Sequence, residues 1–220
     1  MKQMAFIFDL DGVIVDTAKY HYLAWKELAH ELGFDFTEEQ NELLKGVSRV
    51  RSLDILLDIG KVSLGEEERN KFLNEKNAQY LAYIDKMDQR EILPGIAQVL
   101  HFLKANKIPF SLGSASKNAR HILENLNLLE LFDAVVDGND VSTAKPDPEV
   151  FLLAAERLRV DPGDCIVVED AQAGIEAARR AGMTSIGIGD IAILGEANYV
   201  LSNTSELSVD FIKNLLGQKN

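Results

Sequence analysis

The chain has 220 residues, enough for one large domain or two small ones, and its 46% hydrophobic content can fill a sizeable core without staples. A formal net charge of -12 with no basic stripe excludes nucleic acid as the main partner, so any phosphate must be met by local groups. The one cysteine, Cys165 in "CIVV", excludes an internal disulfide and reads as a buried, inert thiol suited to a reducing cytosol. The start "MKQMAFIFDLDG" reaches aspartate too soon for a signal peptide, and no apolar run approaches the roughly 20 residues needed to span a membrane, so a cytoplasmic protein is expected.

Phe6, Ile7 and Phe8 form an apolar run that reads as a buried strand, which would deliver Asp9, Asp11 and Gly12 to the carboxyl edge of a parallel sheet. Two carboxylates one residue apart repel each other unless a cation or a shared proton holds them, so the pair points to chemistry rather than packing. From about Asp16 to Glu91 the pattern is helical without a convincing strand: Tyr22, Trp25, Leu28, Ala29 and Leu32 form one stripe, and Gly33 ends it. The spacing predicts a helical insertion over 16–91, leaving 1–15 and 92–220 as an α/β core.

Beyond Glu91, short apolar runs alternate with helical patterns. Ile96, Val99, Leu100 and Leu103 make one helical face, and Gly182 stands where a helix after "IEAARRA" would end. Strand-length runs lie at Ile108–Ala115, Ala134–Gly138, Cys165–Ala171 and Thr184–Gly189. This alternation predicts a doubly wound, mostly parallel sheet of Rossmann-like type, covered by helices on both sides.

Four segments of that core would reach the same sheet edge: "DLDG", "GSASKN", "AKPDP" and "VEDA". Asp9, Asp11, Glu169 and Asp170 supply hard oxygen ligands that suit Mg²⁺ together with a substrate phosphate. Ser114 and the N–H groups near Ala115 can cradle phosphate oxygens, while Lys145 adds a compact positive charge. Arg49, in a loop near Gly46 and Ser48, reads as a phosphate ligand. Trp25 lies on an apolar helical stripe, where packing and sugar contact both remain open.

The combination of "DLDGVIVDT", Ser114, Lys145 and the Glu169–Asp170 pair resembles the haloacid dehalogenase superfamily. The segments "DTAKYHYLAW", "LKGVSRVRSL", "EKN", "SASKN" and "EDAQAGIEA" resemble its phosphoglucomutase-like subgroup, with the insertion as a small helical cap. The resemblance implies a Mg²⁺-dependent phosphomutase that interconverts β-D-glucose 1-phosphate and glucose 6-phosphate through an aspartyl phosphate and a sugar bisphosphate. It implies Asp9 as nucleophile, Asp11 as general acid and base, and Asp9, the Asp11 carbonyl, Glu169 and Asp170 around Mg²⁺. Ser114, Ala115 and Lys145 would hold the transferred phosphate, and Arg49 with Ser116, Lys117 and Asn118 the non-reacting one. His21 and Lys76, with Thr17 at the hinge, would close the cap, and Trp25, Gly46, Val47 and Ser52 would line the sugar.

Two rivals stand beside that expectation. A sugar-phosphate phosphatase of the same fold shares every core residue, so only the cap segments separate it from a mutase. A phosphoryl-accepting receiver module also gathers acids, a hydroxyl and a lysine on a parallel sheet, but needs neither a long helical insertion nor two phosphate grips. The expected partners are small sugar phosphates, with no nucleic acid and no membrane, and the expected state is a monomer.

Overall fold

The structure, a computed structural model, describes residues 4–44 and 47–217. The chain divides into two compact units, Met1–Asp16 with Asp88–Asn220, and Thr17–Met87. The sequence pattern had put the return to the first unit at residue 92. It falls earlier because the helical pattern ends at Ile84 and a turn, in which the Asp88 carboxylate accepts from the Arg90 N–H, already belongs with the α/β unit.

The α/β unit contains strands β1 (Ala5–Phe8), β2 (Phe110–Gly113), β3 (Ala134–Val136), β4 (Cys165–Glu169), β5 (Thr184–Ile188) and β6 (Tyr199–Leu201). They form one sheet in the order β3-β2-β1-β4-β5-β6, and every pairing is parallel. Phe6 lies between Phe110 and Ile166. The chain builds outward from β1 on one side and then from β4 on the other, so the strand order reverses between them. Crevices outside such a reversal, at the carboxyl ends, are where open α/β sheets hold ligands.

All four residues of β1 are buried, as a strand covered on both faces requires. Phe6 and Phe8 share one face, where the Phe8 ring meets Phe110 edge-on at 6.3 Å. Ala5 and Ile7 share the other, in a core with Phe151 and Ala154 of α7 (Glu149–Leu158) and Ala177 and Ala178 of α8 (Gln172–Arg180). Phe151→Ala would cost about 3–5 kcal/mol by emptying the centre of that layer. Before β2, the predicted face of Ile96, Val99, Leu100 and Leu103 forms α5 (Ile96–Ala105), with all four side chains buried.

The helical unit contains α1 (Ala18–Glu31), α2 (Glu38–Asn41), α3 (Arg49–Gly60) and α4 (Glu66–Ile84), with no strand among its described residues. Helix α1 is capped at Leu32, and Gly33 follows at φ +88°, a left-handed conformation natural to glycine. Helix α2 starts from a capping box, Thr37 and Gln40 each accepting the other's backbone N–H. The predicted stripe is the inner face of α1: Trp25, Leu28 and Ala29 are buried with Phe36, Leu53, Leu56 and Leu57, and Tyr22 and Leu32 lie against them. No helix among the described residues is long and apolar enough to cross a membrane.

Candidate active site

The site in the α/β unit begins where β1 ends. The Asp9 N–H is bound to the Val168 carbonyl at 2.9 Å, which ties the first aspartate to β4. The loop then turns tightly, because the Leu10 carbonyl accepts from the N–H groups of Ile14 and Val15 at 2.8 and 3.1 Å. Gly12 has φ +75°, and a Cβ there would lie 2.1 Å from Asp170 Oδ2. Only glycine lets the loop pass so close to that carboxylate. Leu10 is buried and the Asp11 side chain half-buried, so the Asp-Leu-Asp alternation sends one residue into the core and keeps the second acid within reach of solvent.

Lys145 links the ends of the two central strands. Its Nζ donates to Asp9 Oδ1 and to Glu169 Oε1, both at 2.6 Å, and stands 4.7 Å above the Phe151 ring. Glu169 Oε2 accepts the Ala171 N–H at 2.7 Å. All three charged side chains are buried. Burial is the largest influence on Asp9 and raises its pKa; the Lys145 ammonium opposes this and Glu169 adds to it, leaving the carboxyl pushed up to about 6. Burial also disfavours the Lys145 ammonium, but the two carboxylates outweigh it and hold the lysine above its ordinary value. Both pKa values rise, which favours the neutral acid but the charged lysine: Asp9 shares one ammonium with Glu169, whereas Lys145 has two anions at 2.6 Å.

Carboxylate oxygens of Asp9, Glu169 and Asp170 come within 4.8 Å of one another, an all-oxygen donor set suited to a hard divalent cation. Ser114, one residue past β2, is also buried, and its Oγ accepts the Ser116 N–H at 3.1 Å, leaving the hydroxyl hydrogen to donate. Ser116 Oγ in turn accepts the Asn118 N–H at 3.3 Å, so "SASKN" is a folded turn before α6 (Ala119–Asn125). Within it Ala115, Ser116 and Asn118 are half-buried and Lys117 is exposed.

The helical unit gathers a second set. Thr17 is the N-cap of α1 and fully buried, and its carbonyl accepts the His21 N–H at 3.0 Å. Lys76 Nζ stands 2.8 Å from His21 Nδ1 and 4.6 Å above the Trp25 ring, so Trp25, 1% exposed, packs inside this unit. Val47 and Arg49 are half-buried around Ser48, the N-cap of α3, and Ser52 is buried one turn on. Burial lowers the Arg49 pKa. Gly46 lies outside the described residues. Arg51, which makes the loop after Arg49 more basic, lies 3.9 Å from Asp54, itself paired with Arg69.

Three supporting residues escape a reading by residue type. Glu149 accepts from the N–H groups of Ser142 and Thr143 at 3.0 and 2.7 Å, anchoring the segment that carries Lys145. Its signal was an acid in the first turn of a helix, just after "KPDP". A Cβ on Gly174 would lie 2.0 Å from Glu169 Oε1; an isolated glycine inside a helical pattern was the signal. Tyr80 stacks on His21 at 4.1 Å and has no sequence signal beyond its place in a helix.

A family model described as haloacid dehalogenase-like hydrolase matches residues 3–182. The chain is 41% identical over 210 residues to β-phosphoglucomutase of Bacillus subtilis, covering 94% of this chain and 93% of that protein. It is 32% identical over 220 residues to a phosphorylated carbohydrates phosphatase of Thermotoga maritima, covering 96% and 99%. A crystal structure of β-phosphoglucomutase from Clostridium difficile superposes with a TM-score of 0.93 at 44% identity, covering 99% of this chain and 98% of that one. With Asp9, Lys145, Glu169 and Asp170 gathered at one sheet edge and the family model matching most of its length, the chain belongs to the haloacid dehalogenase-like hydrolase family.

Proposed function

We propose that this protein is a Mg²⁺-dependent phosphomutase that interconverts β-D-glucose 1-phosphate and glucose 6-phosphate, acting as a cytoplasmic monomer. The observation that carries the proposal is the 41% identity to β-phosphoglucomutase of Bacillus subtilis along nearly the whole of both chains. The Asp9–Lys145–Glu169 cluster supports it, because it supplies a nucleophile whose charge is partly balanced before a phosphate arrives.

In this mechanism Asp9 carries the phosphoryl group. An Asp9 carboxylate oxygen attacks phosphorus, and the bond from phosphorus to the sugar oxygen breaks as the aspartyl phosphate forms. Asp11 gives its proton to that leaving oxygen, and takes a proton from the sugar hydroxyl when the group is transferred back. Ser114, the N–H of Ala115 and Lys145 hold the transferring oxygens. Arg49 with Ser116, Lys117 and Asn118 holds the other phosphate, so the bisphosphate can bind in either of two orientations. Asp9, Glu169 and Asp170, with the Asp11 carbonyl, would hold Mg²⁺, which when bound offsets the repulsion between carboxylates and phosphate. Residues 17–87 serve as the cap that excludes water, with His21, Lys76 and Thr17 in its closing group and Gly46, Val47 and Ser52 on its sugar side, while Trp25 packs within the cap.

The test is anomerically pure β-glucose 1-phosphate with Mg²⁺ and a bisphosphate primer, measuring glucose 6-phosphate and free phosphate together. Glucose 6-phosphate should form much faster than phosphate is released, and chelation with EDTA should stop both until Mg²⁺ is restored. Phosphate released in step with substrate loss, with no 6-phosphate accumulating, would establish the phosphatase reading instead. The 32% identity to the Thermotoga phosphatase favours that reading as the second.

A further inference from the structure

The buried Lys76 ammonium lies between two aromatic rings, with its Nζ 4.6 Å from the Trp25 centroid and 4.7 Å from that of Tyr80. His21 stacks on the same Tyr80 ring, centroids 4.1 Å apart and planes 23° from parallel, and faces Lys76 through Nδ1 at 2.8 Å. Lys76 and Tyr80 are one turn apart on α4, and His21 and Trp25 one turn apart on α1, so two i,i+4 pairs meet as a square. Tyr80 is the one side chain of the four that touches both members of the polar pair.

A lysine ammonium has three donors and no acceptor. Lys76 therefore donates to His21 Nδ1, which must be bare, and the imidazole proton sits on Nε2. We propose that Tyr80 and Trp25 are positioning residues: their faces hold the Lys76 ammonium against His21 Nδ1 and so fix His21 as the tautomer that presents Nε2–H. Cation–π attraction from the two ring faces stabilises the charged lysine beside the histidine. Burial first, then the Lys76 and Arg49 charges, keep the imidazole well below its ordinary pKa, so it offers an N–H donor that stays neutral near pH 7. A neutral donor with one bare nitrogen already occupied suits a substrate oxygen, whereas an imidazolium beside Lys76 would add a repelling charge.

The tautomer belongs to the resting protein and can be read without substrate; only its use in turnover rests on the mutase reading. In ¹⁵N-histidine NMR, His21 should show an unprotonated Nδ1 and a protonated Nε2. Tyr80→Phe, which keeps the ring, should preserve that signature. Tyr80→Leu should let His21 populate both tautomers and titrate nearer its ordinary value, and should lower kcat/KM for β-glucose 1-phosphate about tenfold relative to Tyr80→Phe. Should the leucine variant fail to fold, Lys76→Met in the otherwise unchanged chain must alter the emission of Trp25, the sole tryptophan. An unchanged His21 tautomer and titration in Tyr80→Leu, or Trp25 emission indifferent to Lys76→Met, would overturn the proposal. The expected NMR change without any loss of kcat/KM would uphold the aromatic clamp and remove His21 from the mutase mechanism.

Discussion

The α/β unit and the helical unit hold their polar residues in place by different physics. In the first, Asp9, Ser114 and Glu169 stand at or just beyond the carboxyl ends of β1, β2 and β4, so sheet register sets their spacing, and Lys145 joins two of them by charge. In the second, His21 and Lys76 stand on two helices and are held by ring faces. Charge removal should therefore disable the first site, whereas loss of a flat surface should disable the second. A backbone-set site gives chemistry a fixed frame; a site set by side-chain shape can change with the packing of its helices.

The largest expected effect tests the charge-locked side of this contrast. Asp9→Asn should reduce turnover to background while the fold persists, since the amide keeps the shape but is no nucleophile. Mass spectrometry after incubation with a phosphodonor should find no added phosphate; covalent phosphate on the variant would remove Asp9 from that role. Asp11→Asn should fold and keep its backbone carbonyl, yet lose roughly 10²- to 10⁴-fold in rate, the usual worth of a positioned acid or base. A near-wild-type rate would exclude that assignment.

The helical unit should behave otherwise. Arg49→Ala should weaken capture of the non-reacting phosphate by roughly 10- to 100-fold, the loss of one charge-assisted contact, and leave aspartyl phosphate formation from a small donor almost intact. Equal loss in both assays would move Arg49 into the reacting centre and blur the division between the units. Gly174→Ala sharpens the comparison from the other side, since it alters no charge but drives a methyl into the Glu169 carboxylate. We expect metal affinity to fall roughly 10- to 100-fold, as for lost support around a ligand. Isothermal titration with Mg²⁺ would measure it, and an unchanged affinity would show that Glu169 can shift freely.

The strands legible in the sequence were those with a mostly apolar, strand-length run between polar or glycine boundaries, even where a Ser or Gly interrupts it as in β2 and β5. β6 was not, because Tyr199–Leu201 has three residues at the sheet edge, and two of them are only half-buried. The charged residues of the α/β site were legible because few other roles suit an acid directly after a buried strand. Their supports were not, since Glu149 and Gly174 act through a loop and through absent volume rather than through chemistry of their own. Helix α4 hid more: its sequence is rich in polar residues, yet Lys76 is buried beside Tyr80. A period of apolar residues cannot announce an ammonium whose neighbours are rings from another helix. The sequence pattern identified α1's stripe correctly, but the same stripe left packing and sugar contact open for Trp25.

The position of β1 at the centre of the sheet also bears on the order in which the molecule assembles. Phe6 pairs with Phe110 and Ile166, each more than a hundred residues further along the chain, whereas α1–α4 meet one another within a single continuous segment. Closing such long loops carries an entropy cost before any contact repays it, so local packing has the kinetic advantage. We therefore expect refolding monitored by pulsed hydrogen exchange to protect amides in α1 and α4 before those of β1; protection of β1 first would contradict this. The strand that leads into Asp9 would then be among the last elements to find its partners, and the cluster of Asp9, Lys145 and Glu169 could not form until β1 and β4 had met.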